Sequence, residues 1–251
     1  MSSHPKQDNP ASRAGLSAQS ESPAHGRQTK GRMTLLSRIV IAIVALSLSA
    51  TYYFPLWEIT LDAPQYPEGL GLEIWINQMA GQHPGDLGKI NNLNHYIGMK
   101  SIQPESIKEL SIMPWIMRGL VLVGLVAAAL GRRFWLFLWL LIFVAVATVG
   151  LVDFYLWGYD YGHNLDTAKA IIKVPAMSYQ PPLIGTKKLL NFKAISLPGI
   201  GGWTAIGAFI VGILVWWREF RRTRKSRAAQ SAIIALMSAV MLTEVTGCGS
   251  R

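Results

Sequence analysis

Two short segments of this sequence hold side chains of the types that bind soft metal ions. His95 and Met99 are four residues apart, so a helix here would place an imidazole and a thioether on one face. His163 and Met177 lie in the later segment, where Asp160 is placed to accept the second ring N–H of His163. Imidazole binds copper, zinc, iron and nickel, whereas thioether selects Cu(I). The set therefore predicts a copper site, with Asp160 as an orienting residue.

The same residues also fit ordinary structural roles. A histidine in a loop usually satisfies local hydrogen bonds, and Met99 suits the core of a folded loop because methionine fills irregular gaps. One His with one Met is a weak signal by itself, so both interpretations stay open. The sequence has no nucleophile elbow, no phosphate-binding glycine loop and no His-Glu-x-x-His motif, so an enzyme is the weaker class.

Apolar segments must position these side chains. Charged residues make up only 15% of the chain, against roughly 25% in an ordinary soluble domain. Four apolar runs are each long enough to cross the ~30 Å hydrocarbon core of a bilayer as a helix. We therefore predict an all-α membrane protein with transmembrane helices at residues 34–54, 113–130, 134–157 and 199–217.

Two longer segments, 55–112 and 158–198, connect the predicted spans. Alternation of apolar with small or polar residues over 70–76 favours a short strand, and the proline-rich stretch before it favours a turn. We expect two external loops of mixed short-strand and irregular structure. His95 lies in the first loop and His163 in the second, so both should emerge on the same membrane face.

Charge predicts the orientation of the chain. The formal net charge is +10, and basic residues concentrate before the first span, in the turn at 131–133 and over 218–227. The positive-inside rule places these parts in the cytoplasm, which predicts a multi-pass protein of the bacterial inner membrane with a cytoplasmic N-terminus. The lipid bilayer is then the expected partner, and no basic face of a soluble domain points to nucleic acid.

Both ends of the chain lie outside the predicted spans. Residues 1–33 are rich in Ser, Pro, Gln, Gly and Ala, which predicts a disordered cytoplasmic tail. Residues 218–227 predict a basic cytoplasmic segment. The apolar run within 228–251 ends at Cys248, the single cysteine, and is similar to a lipoprotein signal; a fifth, partly polar helix fits equally well.

Two charged residues, Arg118 and Asp153, fall inside predicted spans at similar depths from the same membrane face. A charge within a span costs roughly 2.5–3.5 kcal/mol on insertion scales, so we predict an intramembrane ion pair. A proton or ion relay and separate snorkelling of the two side chains remain alternatives.

Several longer stretches between residues 54 and 217 stand out: Phe54–Trp57, Ala63–Leu70, Leu93–Met99, Asp153–Trp157 with Tyr159–Leu165, and Gln180–Gly185 with Lys187 and Lys188. Together they resemble a family of bacterial inner-membrane proteins associated with gene clusters for nitrous oxide reductase and its copper-handling lipoprotein. The family has no established catalytic residues to carry over. The resemblance implies a role on the periplasmic side, with a copper chaperone or a copper enzyme as partner.

Three functions follow from these patterns. The leading one is an integral membrane accessory protein that assists copper delivery to, or maturation of, a periplasmic copper enzyme such as nitrous oxide reductase. The first alternative is a membrane docking or assembly protein that binds no metal. The second alternative is a small transporter or electron-transfer subunit that uses Arg118 and Asp153.

Overall fold

The computed structural model describes residues 32–166, 168, 170–172, 178–189 and 192–247. Within them, five α-helices and five β-strands follow one another along the chain. The helices are α1 (Leu35–Ser47), α2 (Asp86–Ile97), α3 (Glu109–Leu130), α4 (Arg133–His163) and α5 (Ile200–Gly247). The strands are β1 (Trp57–Ala63), β2 (Tyr66–Ile74), β3 (Met79–Gly81), β4 (Gly185–Leu189) and β5 (Phe192–Pro198). Residues 1–31, Met177 and Cys248 lie outside the described residues.

The five strands form one antiparallel sheet in the order β3-β2-β1-β5-β4. The prediction of an all-α protein with two loops of short strands and irregular structure is therefore wrong. The two segments share one sheet, because β1 from the first pairs with β5 from the second and places Ile59 opposite Ser196. Such a distant pairing leaves no local pattern in the sequence, which shows only the alternation within each strand.

One face of the sheet is apolar and is covered by α2. In β1, Ile59 and Ala63 are buried, whereas the intervening Asp62 is exposed, as the two-residue period of a strand requires. Ile59, Leu72 of β2 and Ile90 of α2 belong to one buried cluster. We refer to the five strands together with α2 as the sheet domain.

The other four helices pack together into a bundle, whose core is centred on Trp139 of α4. This side chain is fully buried, and its indole N–H donates to the carbonyl oxygen of Leu120 on α3 at 2.9 Å. Gly124 permits the approach, since a Cβ there would lie 2.9 Å from the Trp139 ring and 2.7 Å from Cβ of Ala45 on α1. A glycine at this position thus lets three helices meet closely around one aromatic side chain.

Four helices are long and apolar enough to cross a membrane. They cover Leu35–Tyr52, Glu109–Leu130, Arg133–His163 and Ile200–Leu236. Apolar side chains such as Leu35, Ile43 and Phe134 are exposed on the bundle surface, which suits lipid contact. These features are consistent with a membrane protein. The helix α5 continues without a break through residues 228–247, the stretch for which the sequence left two alternatives.

At one end of the bundle, a buried carboxylate ties α5 to the beginning of α1. Glu219 is only 2% exposed. It accepts hydrogen bonds from the Thr34 N–H at 3.1 Å, the Thr34 hydroxyl at 2.9 Å and the Ser37 hydroxyl at 2.6 Å. The Thr34 hydroxyl oxygen in turn accepts from the Ser37 N–H, as an N-cap does. Glu219 therefore closes this end of the bundle.

At the opposite end, the sheet joins the bundle through close backbone packing. β5 leads into α5 through Gly199, whose N–H donates to the Leu56 carbonyl oxygen at 3.1 Å. A Cβ on Gly202 would lie 2.3 Å from the same oxygen, so no larger residue fits without movement of the backbone. This tight contact fixes the sheet domain on the end of α5.

Candidate functional site

The structure brings the two histidine-bearing segments into direct contact. Lys100 Nζ lies 2.7 Å from the Asp160 carboxylate. The Asp166 N–H donates to the Gly98 carbonyl oxygen at 2.8 Å, and the N–H groups of Ile171 and Ile172 donate to that of Tyr96 at 3.0 and 2.9 Å. We call this contact the junction. It consists of residues 95–100 and of the described residues among 159–172.

The helix that carries His95 ends before Met99. Gly98 caps α2 with a left-handed φ of 78°, and the Met99 N–H donates to the Asn94 carbonyl oxygen at 2.8 Å. The His95 side chain is exposed, whereas Met99 is half-buried and lines an apolar cavity. The helical geometry expected to place imidazole and thioether on one face is therefore not formed.

His163 and Asp160 each have partners within the junction. The His163 ring stacks on Tyr159 with centroids 4.0 Å apart, and its Nδ1 lies 3.0 Å from the Tyr159 carbonyl oxygen. The Asp160 carboxylate accepts hydrogen bonds from Lys100 and from the Asn164 amide. The described hydrogen bonds do not include the predicted one from the His163 ring to Asp160. Met177 lies outside the described residues.

In the described part of the chain, no group of three or more His, Cys, Asp or Glu side chains is placed to hold a metal ion. Methionine thioethers, which also bind Cu(I), are not among these groups. The copper site at His95, Met99, His163 and Met177 therefore stays a prediction.

Arg118 and Asp153 form no ion pair with each other in the described structure. Both side chains are exposed on the bundle surface. The Arg118 guanidinium lies over the Trp115 ring, 4.6 Å from its centroid, and 5.9 Å from that of Tyr52. A cation held over aromatic faces needs no carboxylate partner, which explains why the predicted pairing is not required for Arg118.

A cavity of about 90 Å³ lies beside the junction, between the sheet, α2 and the end of α4. Met99 and Phe192 contribute to its wall, together with Trp157, Gly158 and Tyr161 of α4. The rings of Trp157 and Tyr161 pack with centroids 4.3 Å apart, as their i, i+4 spacing on a helix allows. Sequence reasoning missed these residues, although that aromatic spacing was visible.

Tyr179 also lines this cavity. Its side chain is 3% exposed, and its hydroxyl has no hydrogen-bond partner among the described residues. Buried hydroxyls are usually paired, because an unpaired one loses its hydrogen bonds to water on folding. The hydroxyl is itself enclosed by protein atoms, so the cavity offers an occupant an apolar wall.

Two carboxylates in the sheet domain have altered acidity. Burial acts to raise the pKa of Asp86, but hydrogen bonds from the Gly71 and His83 N–H groups and from the His83 ring outweigh it and lower that pKa. These bonds also fix the start of α2 against β2. Burial and the nearby carboxylate of Glu73, directly across the strand pair, raise the pKa of Glu58.

No protein family model matches this chain, and no curated protein matches it. The resemblance to the family associated with nitrous oxide reductase clusters thus stays a prediction.

Proposed function

We propose that this chain is a membrane-anchored docking or assembly protein, whose sheet domain and junction bind a partner protein. The observation that carries the proposal is a set of exposed apolar and aromatic side chains on the two segments that meet at the junction, which we call the docking patch: Tyr96, Tyr159, Ile171 and Ile172. Each of the four is 48 to 65% exposed. Single exposed apolar side chains are common, but several on segments held together favour an interaction surface.

Helix length supports a location of the docking patch outside the hydrocarbon core. α4 has 31 residues and is therefore about 46 Å long, whereas the hydrocarbon core is ~30 Å thick. If α4 enters the bilayer near Phe134, its last ten residues extend beyond the core and carry Tyr159 with them. With basic residues at 131–133 and 218–225 on the cytoplasmic side, the patch faces the periplasm of an inner-membrane protein.

The docking patch is also held rigid. Main-chain hydrogen bonds from Ile171 and Ile172 to Tyr96 fix its two segments relative to each other, and the ion pair between Lys100 and Asp160 adds a further link. A surface ordered before binding loses less conformational entropy when a partner binds. The geometry thus favours recognition of a folded partner.

Site-specific crosslinking in cells tests this proposal. A photoreactive amino acid placed at Tyr96 or Ile172 should give a defined protein adduct, identified by mass spectrometry. The same group at Ile184, an equally exposed apolar residue beside β4, is the matched control and should not give that adduct. Ile171→Ser with Ile172→Ser should weaken binding of the identified partner at least tenfold, about 1.4 kcal/mol. Unchanged affinity would contradict the docking patch.

Copper handling is the second candidate, and one observation favours it: the junction unites the two segments that carry the exposed His95 and His163. The purified protein in detergent should then bind Cu(I), and His95→Ala with Met99→Ala should weaken that binding at least tenfold. Unchanged Cu(I) affinity would contradict the assignment of these ligands. Partner binding that survives loss of both histidines, without bound metal, would favour docking alone.

A further inference from the structure

The end of the bundle that Glu219 closes carries many exposed cations. The Met33 N–H donates to the Gly131 carbonyl oxygen at 2.7 Å, which brings the residues before α1 against the turn before α4. Glu219 adds α5 to this contact through its bonds to Thr34. Seven exposed basic residues lie on these three segments, and we call them the basic rim: Arg32, Arg132, Arg218, Arg221, Arg222, Arg224 and Lys225.

Anions do not balance this charge. Glu219 is the one carboxylate among the described residues 32–47, 128–136 and 210–236. It is buried and accepts hydrogen bonds from Thr34 and Ser37, and of the basic rim only Arg222, at 3.8 Å, forms an ion pair with it in the described structure. The rim therefore presents a strong net positive charge to its surroundings.

Helix length and aromatic residues place the basic rim at the surface of a bilayer. From Ile200 to Phe220, α5 rises about 30 Å, which matches the thickness of the hydrocarbon core. Phe134, Trp217 and Phe220 are exposed at this end of the bundle, as in the aromatic belts of membrane proteins. The cations beside them therefore lie at the level of the lipid headgroups.

Two arginines of the basic rim are held against aromatic rings. The Arg221 guanidinium lies 3.6 Å from the centroid of the Trp217 ring, and the Arg224 guanidinium lies 5.2 Å from that of Phe220. Each ring stands four positions before its arginine, so the two are neighbours on the helix surface. The N–H groups lie in the plane of a guanidinium, so a ring against its face leaves them able to donate two hydrogen bonds to one phosphate.

We propose that the basic rim binds the phosphate groups of anionic phospholipids in the membrane leaflet at this end of the bundle. Arg221 and Arg224 donate to the phosphates, and Arg32 and Arg132 add positive charge from the neighbouring segments. Cations beside a membrane span attract anionic lipids, whereas a zwitterionic headgroup brings a cation of its own. The site lies at the end of the bundle opposite the sheet domain, so it does not depend on the docking patch.

Nucleic acid also offers phosphates to arginine, but the surroundings of the rim favour lipid. Proteins that bind single strands stack the bases on exposed aromatic rings. Here Trp217 and Phe220 lie at the edge of the hydrocarbon core, where they contact acyl chains and are closed to bases. A lipid satisfies both the rings and the cations, since its acyl chains and its phosphate belong to one molecule.

Lipid titration of the purified full chain in a neutral detergent tests the proposal. Native mass spectrometry should show at least tenfold greater retention of dioleoyl phosphatidylglycerol than of dioleoyl phosphatidylcholine, which has the same acyl chains and no net charge. Each cation contributes roughly fivefold to the binding of anionic lipid, so Arg221→Gln with Arg224→Gln should weaken phosphatidylglycerol binding at least tenfold. Binding of phosphatidylcholine should stay unchanged.

A matched control removes the same charge from the other end of the molecule. Lys188 and Lys193 are exposed and lie directly across from each other on β4 and β5. Lys188→Gln with Lys193→Gln should leave phosphatidylglycerol binding unchanged. The partner-protein adduct at Tyr96 should survive in the Arg221 and Arg224 variant, which separates failure of the lipid site from failure of the docking patch.

Salt gives a readout that needs no variant. Raising NaCl from 0.1 to 1 M shortens the screening length from about 10 to 3 Å, so retention of phosphatidylglycerol by the wild type should fall towards that of phosphatidylcholine. Retention that does not change with salt would contradict binding through charge.

Three other outcomes would overturn the proposal. The first is equal phosphatidylglycerol binding by the wild type and the folded Arg221 and Arg224 variant. The second is an equal loss in the lysine control, which would make net charge alone the cause. The third is displacement of phosphatidylglycerol by an equimolar single-stranded oligonucleotide, which would make the basic rim a nucleic-acid surface.

Discussion

Replacement of Glu219 by alanine should destabilise the helix bundle by about 3 kcal/mol. The carboxylate is 2% exposed and accepts three hydrogen bonds from Thr34 and Ser37. Glu219→Ala removes all three bonds to the charged group. The Thr34 hydroxyl can keep its 2.8 Å contact with the Ser37 hydroxyl, which makes up for one of them, so the net loss is two bonds. At roughly 1.5 kcal/mol for each, the sum is about 3 kcal/mol, or roughly a hundredfold in the unfolding equilibrium constant.

Chemical unfolding of the purified protein in detergent measures this change, and Arg222→Ala provides a matched control. Arg222 is 62% exposed and lies 3.8 Å from Glu219, so its removal should cost less than about 0.5 kcal/mol. In a Ser37→Ala background, the cost of Glu219→Ala should fall by about 1 kcal/mol, because the 2.6 Å bond is already absent. A cost below 1 kcal/mol for Glu219→Ala, or an equal cost for Arg222→Ala, would refute the reasoning.

Three further predictions concern the sheet domain and the junction. Asp86 has a lowered pKa, so its carboxylate stabilises the fold at neutral pH, and this stabilisation is lost as the pH falls through the folded-state pKa. Asp86→Asn should therefore lower the thermal unfolding midpoint at pH 7, and the midpoint of the variant should fall less steeply with acid pH than that of the wild type. Glu58 has a raised pKa, so Glu58→Gln should raise the midpoint at pH 7 and make no difference below about pH 3, where the carboxyl is protonated in both the folded and the unfolded state. Gly98→Ala should cost about 1–2 kcal/mol more than Gly85→Ala in urea unfolding, since both glycines have positive φ but only at Gly98 does a Cβ approach another segment, 2.7 Å from the Asp166 carbonyl oxygen. Equal costs for the two glycines would contradict the junction geometry.

Hydropathy predicts helices well here because a span is a local property of the chain. The apolar run predicted at 113–130 lies within α3, which begins at Glu109, and the run at 134–157 lies within α4. Sheet pairing is not local. The indole N–H of Trp57 donates to the Ser196 hydroxyl across 139 sequence positions, and no periodicity within either segment could show this contact.

The candidate site shows the same contrast. Gly98 carried a readable signal, because a glycine after an amphipathic stretch commonly ends a helix, and this termination separates Met99 from His95. Glu219 carried none. In the sequence it stands between Arg218 and Arg221 and fits a solvated basic segment; only the packing of α5 against the start of α1 reveals a buried acceptor.

Helices α1 and α5 are joined at both of their ends, and this arrangement determines where movement can occur. At one end Glu219 of α5 binds Thr34 and Ser37 at the start of α1. At the other end β1, which follows α1, pairs with β5, which leads into α5. These four elements form a closed frame, against which the end of α4 packs through the cavity wall at Trp157 and Tyr161. This contact therefore sets the position of α4 relative to the sheet, and the same helix carries Asp160, whose ion pair with Lys100 links it to the junction.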